Sequence, residues 1–285
     1  LSTKPQRRPD NMSGVQVIAV TGGKGGVGKT SVAINTAVAL ARQGKRVAIL
    51  DADFGLANVD VLLGLSAPNT IEQLLDGECT LADILLTGPF GIRIIPASSG
   101  ARRLTRMTLL EQAGLIRAFS ELATQIDVLL VDTAAGIADS VLTFANASQE
   151  LLLVLCNEPS SLTDAYALVK LMNRDFGRRR FRVVANMVAD DDEGRQLLQR
   201  LAGVCDQFLD VTLRYAGAIP FDTQLRDAVK AQRAVSEYAP SAPSSLAFQR
   251  LADNIAQWPV PPGADGRLQF FVESLLSPAM AEGRA

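Results

Sequence analysis

Histidine is absent from the 285 residues. Ser-His-Asp catalysis, Cys-His catalysis and every histidine-ligated metal site go with it. Cysteine is scarce: Cys79, Cys156 and Cys205 are odd in number, widely spaced and without a C-x-x-C pair. Neither a disulfide framework nor a zinc or iron-sulfur site is indicated, and the three read as reduced, mostly buried small hydrophobes. A strong charge of one sign is missing too, since Lys+Arg 28 against Asp+Glu 30 leaves a net charge of -2 and a pI near 5.4. That balance argues against a basic coat for sequence-independent nucleic-acid binding, and no direct nucleic-acid contact is expected. Long hydrophobic runs are lacking, because a charged residue interrupts every stretch that approaches the roughly 20 residues needed to span a bilayer. The polar start, Leu1 to Ser13, carries Arg7, Arg8 and two prolines in place of the apolar core of a secretory signal. A cytoplasmic location is the expectation.

What the chain does have is apolar material for a core, 48% of residues. Short, largely β-branched or leucine-rich runs recur at Val15 to Thr21, Arg46 to Leu50, Ile92 to Ala97, Asp127 to Val131, Glu150 to Cys156, Phe181 to Met187 and Leu213 to Ile219. Between most of them lie helical spacings: Lys29 to Gln43, Thr108 to Thr124, Ile137 to Ser148, Leu162 to Phe176 and Asp222 to Gln232. This alternation predicts an α/β fold, a mostly parallel twisted sheet flanked by helices on both faces. Runs such as Leu151 to Leu155 are apolar on both sides, as buried central strands require. The chain divides into a flexible N-terminal segment 1–14, one domain 15–258, and a linker with a C-terminal amphipathic helix 259–285. Ligands on such folds sit at the carboxyl ends of the strands, so chemistry is sought there.

After the first strand comes Gly23-Lys24-Gly25-Gly26-Val27-Gly28-Lys29-Thr30, which fits G-x-x-x-x-G-K-[ST] and opens a helix. Glycines let backbone N–H groups turn inward around phosphate oxygens, and the helix N-terminus adds partial positive charge. Lys29 reaches the β- and γ-phosphates, Thr30 ligates Mg²⁺, and Ser31 completes the cradle. The nucleotide site predicted here is therefore Gly23, Lys24, Gly25, Gly26, Val27, Gly28, Lys29, Thr30 and Ser31, with ATP and Mg²⁺ as cofactors. The second strand runs into Asp51-Ala52-Asp53, two carboxylates suited to magnesium and water; capping a turn is their plainer use. In a chain without histidine a carboxylate is the natural base or orienter of an attacking water, and which of the two serves is left open by the residues alone. Asp132 ends another hydrophobic strand and is expected near Mg²⁺, and Gly136 follows it where backbone can approach a phosphate.

Lys24 goes beyond an ordinary phosphate loop. The run Lys24 to Thr30 resembles the signature of the MinD/ParA ATPases, the deviant Walker-A group. In that family the first lysine crosses a dimer interface to touch the partner's nucleotide; a solvated loop lysine is the plainer alternative. The resemblance implies an ATP-dependent homodimer in which Lys24 and Lys29 join Asp53 in catalysis, Asp51, Thr30 and Asp132 lie near the Mg²⁺ shell, and Asn186 and Pro220 recognise adenine. It extends from about Val15 to Ala234. It is nearest the flagellar-number regulators, the FlhG/FleN branch, through Asp53-Phe-Gly-Leu-Ala-Asn-Val-Asp-Val-Leu-Leu-Gly64, Asp132-Thr-Ala-Ala-Gly-Ile137 and Leu268-Gln-Phe-Phe-Val272.

That branch implies a regulatory ATPase whose partner is a flagellar transcription activator or the flagellar signal-recognition-type GTPase. The start of the chain shows no Asp-Gln-Ala segment of the kind some relatives use on that GTPase. The alternative is a positioning ATPase for cell division or DNA segregation at membrane or nucleoid. Residues Leu268 to Leu276 form an apolar stripe with little basic character, so docking on the protein's own body or on a partner is favoured over membrane contact at the inner membrane or cell pole. Arg178-Arg179-Arg180 reads as solvated, with an acidic partner or DNA as the other use, and Asp190 to Glu193 as a complement to the positive end of the next helix.

Overall fold

The computed structural model describes residues 14–53, 58–96, 109–260 and 268–276. The polar segment 1–13, Ala97, the centre of the 53–64 phrase and the linker 261–267 lie outside the described residues. Strand β1 (Gln16–Thr21) leads through the glycine loop to α1 (Lys29–Arg42), and β2 (Val47–Ala52) follows. Three short helices come next, α2 (Val59–Leu62), α3 (Ile71–Leu75) and α4 (Leu81–Ile84), then β3 (Leu86–Thr87) and β4 (Arg93–Ile95). The second half alternates more regularly: α5 (Leu109–Ala123), β5 (Val128–Thr133), α6 (Asp139–Ala147), β6 (Glu150–Leu155), α7 (Pro159–Phe176), β7 (Arg180–Val188), α8 (Asp191–Phe208) and β8 (Thr212–Pro220). Helices α9 (Thr223–Lys230), α10 (Val235–Tyr238), α11 (Pro243–Ile255) and α12 (Leu268–Leu276) close the chain.

All eight strands form one sheet in the order β3-β4-β2-β5-β1-β6-β7-β8. Every pairing is parallel except β3 with β4. The central strands β1, β2 and β5 are buried at every position, the pattern of a sheet covered on both faces. Leu50, Leu129, Val131, Leu153 and Val183 face a core shared with α5, α6, α7 and α8. Ile18, Ile49, Leu130, Leu152 and Val184 face the opposite core, under α1 and α11. This alternation of neighbours along each strand follows from the two-residue side-chain period.

Each of the seven strands read from the sequence forms, with ends shifted by no more than two residues. The two-residue β3 and the helices α2, α3, α4, α10 and α11 were not foreseen; four of these five helices are five residues or shorter, below the length at which periodicity is legible. Asp190 caps α8 by accepting from Glu193 N–H at 2.8 Å, so the acidic run does complement a helix start. Arg178 corrects the reading of the arginine run as solvated. Its Nη2 donates to the carbonyls of Ser148 (2.7 Å) and Gln149 (2.9 Å), clamping the α7–β7 turn to the start of β6. Helix α12 lays Leu268, Phe271 and Val272, all buried, against α5 and α6, and the Phe271 ring lies 6.4 Å from that of Phe144. The C-terminal stripe thus docks on the protein's own body. Among the described residues no helix is long and apolar enough to cross a membrane.

Candidate nucleotide-binding site

The topology brings the ends of β1, β2, β5, β6 and β7 to one edge of the sheet, and the glycine loop lies across them. Gly26 (φ 79°) and Gly28 (φ 89°) adopt left-handed backbone that side chains other than glycine strain to enter. Gly23 is constrained by closeness instead: a Cβ there would overlap the backbone carbonyl of Asp164 in α7. The loop therefore presses on the first turns of α7. Val27 is buried beneath it at 1% exposure.

Lys29 is 8% exposed, and its ammonium lies 3.5 Å from the carbonyl of Lys24. Burial lowers its pKa, while the Asp132 and Asp53 carboxylates act the other way. Lys24 does not point into the cradle. Its ammonium pairs with the Glu158 carboxylate, which lies between β6 and α7, and that hydrogen bond holds its pKa up. Glu158 is the partner that motif reading missed, although its place just past a strand end is where the topology rule directs attention.

Asp51 and Asp132 are register partners on β2 and β5, each 1% exposed. Their surroundings differ. Asp51 accepts from the backbone N–H of Asp53 (3.0 Å), Asn58 (3.0 Å) and Val59 (3.2 Å), so it gathers the loop that carries Asp53 and caps α2. Burial still raises its pKa against those bonds. Asp132 takes a hydrogen bond from the Thr30 side chain, but its Oδ1 is buried with no partner. Burial pushes its pKa up to about 8, helped by the nearby Asp51 charge.

The hydroxyl of Ser31 is likewise buried without a partner. An unsatisfied carboxylate oxygen beside a threonine hydroxyl and a buried lysine is a donor set that suits a hydrated divalent cation and the phosphates it accompanies. Thr30, Ser31, Lys29 and Asp132 thus fit Mg²⁺ and a triphosphate. Gly136 donates its N–H to the carbonyl of Gly22 at 3.1 Å, tying the segment after β5 to the base of the loop. Asn186, 3% exposed, donates Nδ2 to the carbonyl of Val27 at 2.8 Å, and Pro220 ends the neighbouring strand β8 opposite Val188.

Residues 14–256 match the ParA family, described as NUBPL iron-transfer P-loop NTPase. The chain belongs to the ParA family of P-loop NTPases. Within that family it is 56% identical over 266 residues to the antiactivator FleN of Pseudomonas aeruginosa, spanning 93% of this chain and 95% of that one. It is 34% identical to the flagellum site-determining protein YlxH of Helicobacter pylori, across 85% and 82% of the two chains. The cell division ATPase MinD of Pyrococcus furiosus superposes with a TM-score of 0.68 at 25% identity, covering 85% of this chain and 98% of that one. The septum site-determining MinD of Pyrococcus horikoshii, solved with Mg-ADP, gives 0.67 at 26% identity, over 85% and 96%. As a ParA-family P-loop NTPase this chain hydrolyses ATP, with Mg²⁺ as its metal.

Proposed function

We propose that this protein limits flagellar number as an antiactivator: with ATP bound it dimerises, and the dimer binds a flagellar transcription activator in the cytoplasm. The observation that carries the proposal is the 56% identity to an antiactivator along nearly the whole of both chains. The likeness to a flagellum site-determining protein points to the same organelle. The iron-transfer description is not taken over, because Cys156 and Cys205 are buried and Cys79 is far from both in sequence.

The places of the residues support the following roles. Backbone N–H groups of Gly25 to Thr30 cradle the β- and γ-phosphates, and Lys29 neutralises them at short range. Thr30 and Asp132 would hold Mg²⁺ at the loop, and Ser31 would supply a further hydroxyl. When bound, magnesium offsets the phosphate charge and orients the terminal phosphoryl group. Asp51 carries the backbone of Asp53, and Asp53 orients the attacking water; in phosphoryl transfer such positioning matters more than strong basicity. Lys24 crosses to the partner's nucleotide, and to do so it leaves Glu158. Two triphosphates meeting in a partly dry interface repel strongly, and a lysine from each side offsets that repulsion. Hydrolysis is accordingly slow and dimer-dependent. The buried apolar face of α12 keeps any contact with the inner membrane at the cell pole weak unless the helix undocks.

Deleting the gene and counting flagella by electron microscopy tests the role. Extra flagella are expected; normal flagella with misplaced septa or lost DNA would move the protein to the positioning class. Light scattering tests the switch: the mass doubles with Mg-ATP and not with ADP, and an unchanged mass with ATP bound would remove the dimer.

A further inference from the structure

Helix α9 stops at a residue that its geometry does not favour. The N–H of Gln232 donates to the carbonyl of Val229 and that of Arg233 to the carbonyl of Ala228, both at 3.0 Å, the paired bonds that end a helix at a left-handed residue. Gln232 is that residue, with φ 54°. Glycine suits such a place because any Cβ strains the left-handed backbone, so a glutamine there calls for a reason. Its side chain supplies one. Nε2 donates to the carbonyl of Val61 in α2 at 2.7 Å, across 171 residues of sequence. The same carbonyl accepts from Gly64 N–H at 3.2 Å. Gly64, itself left-handed at φ 62°, comes so near that an added Cβ would lie 3.4 Å from the Cβ of Gln232. The ends of α2 and α9 thus meet through these two residues.

Just beyond Gln232 the chain grips a second element. Val235 N–H donates to Asn35 Oδ1 at 2.8 Å, and Asn35 Nδ2 donates to the Ser31 carbonyl at 2.8 Å, in the first turns of α1. Ala234 and Val235 pack in the same core as Val59 and Leu63. Residues 232–235 therefore brace α2 against α1, the helix that the phosphate loop opens. What depends on α2 is set by Asp51. One oxygen of its carboxylate accepts from the N–H groups of Asn58 and Val59, and the other from the N–H of Asp53. A shift of α2 thus passes to Asp53 through one carboxylate. We infer that Gln232 is a positioning residue for ATP hydrolysis: by holding the Val61 carbonyl it fixes α2, and with it Asp53, relative to the phosphate loop. The bond is exposed and contributes little to stability, and the strain at φ 54° offsets part of that little, so its effect falls on geometry.

The inference rests on the reading of Asp53 as the residue that orients the attacking water, and the test separates the two. Gln232→Gly removes the bond and relieves the strained backbone, while Gln232→Glu keeps the shape but turns an acceptor-only carboxylate toward the Val61 carbonyl. The glycine variant should melt within about 3 °C of the parent. In steady-state phosphate release with Mg-ATP, both variants should lose about tenfold in kcat, with KM for ATP within about twofold of the parent. Adding Gln232→Gly to Asp53→Ala should slow hydrolysis no further, because the bond acts through that carboxylate. Parental kcat in either folded variant, or a raised KM with kcat kept, would overturn the inference, since a merely structural bond moves the melting point alone. A further slowing on the Asp53→Ala background would overturn the route through Asp53. Parental turnover in Asp53→Ala by itself would instead remove the reading of Asp53.

Discussion

The two edges of the sheet treat polar groups in opposite ways. At the amino edge they are paired with one another. Arg46 meets Asp127 at 2.7 Å and donates to the Thr124 carbonyl at 2.8 Å. The Gln149 amide accepts from Val17 N–H and donates to the Val15 carbonyl, while Arg178 clamps Ser148 and Gln149. At the carboxyl edge Thr21 Oγ1, Ser31 Oγ, Asp132 Oδ1 and Asn186 Oδ1 are buried without partners. Gln16 Nε2 is the amino edge's exception among the described residues. Buried polar atoms are ordinarily satisfied, because each orphan costs about 1–3 kcal/mol. An edge that gathers several of them around a glycine loop has placed stability second to binding.

If that contrast is right, variants at the carboxyl edge alter binding and turnover while variants at the amino edge alter stability alone. The largest effect is expected for Lys29→Ala, which should weaken ATP binding at least about 100-fold in calorimetry, since a desolvated charge on the phosphates is lost. Asp53→Ala should lower kcat at least about 100-fold while ATP affinity holds, trapping the dimer in light scattering. Normal turnover would strike Asp53 from the catalytic residues.

Arg178→Ala tests the other edge. It should lower unfolding free energy by about 2 kcal/mol in denaturant titrations, through two lost hydrogen bonds to partly buried carbonyls, and leave ATP affinity unchanged. A change in ATP affinity would break the comparison.

Asp132→Asn probes the cost of the orphaned edge. With its folded pKa pushed up to about 8 by burial, Asp132 keeps a proton that the unfolded chain gives up near pH 4. Its contribution is therefore fully present below about pH 4 and is lost as pH rises toward 8. The nucleotide-free asparagine variant should gain in Tm over the parent between pH 5 and pH 8 by about 3 °C or more, roughly the shift that 1 kcal/mol produces in a chain of this size. A gap that stays constant with pH would show that Asp132 is ionised throughout.

The smallest effect belongs to Glu158→Gln, which frees Lys24. Because the pair is exposed, the protein concentration for half-maximal ATP-driven dimerisation should fall by no more than about fivefold in light scattering. A rise would mean that Glu158 acts across the dimer interface.

Much of this was legible beforehand because it is local. The run Gly23 to Thr30 specifies its own backbone, and strand runs such as Leu151 to Leu155 declare burial on both faces by composition. Asp51 shows the limit. Its position near the end of β2 was readable, but the convergence of the Asp53, Asn58 and Val59 N–H groups on its carboxylate was not, since two of them come from seven and eight residues further on. Arg178 shows the same limit from the other side: three arginines in a row look solvated until the β6 start is brought beneath the first of them.

The sequence by itself determined the α/β alternation, the glycine cradle and the ParA-type lysine, because propensity, period and motif act within a few residues. Only the tertiary structure decided that Lys24 rests on Glu158, that Asn186 holds the Val27 carbonyl across 159 residues, and that α12 buries Phe271 against the body. Those contacts join segments far apart in the chain. Their partners are chosen by strand order and by the closeness of backbones, and neither is written in any one segment.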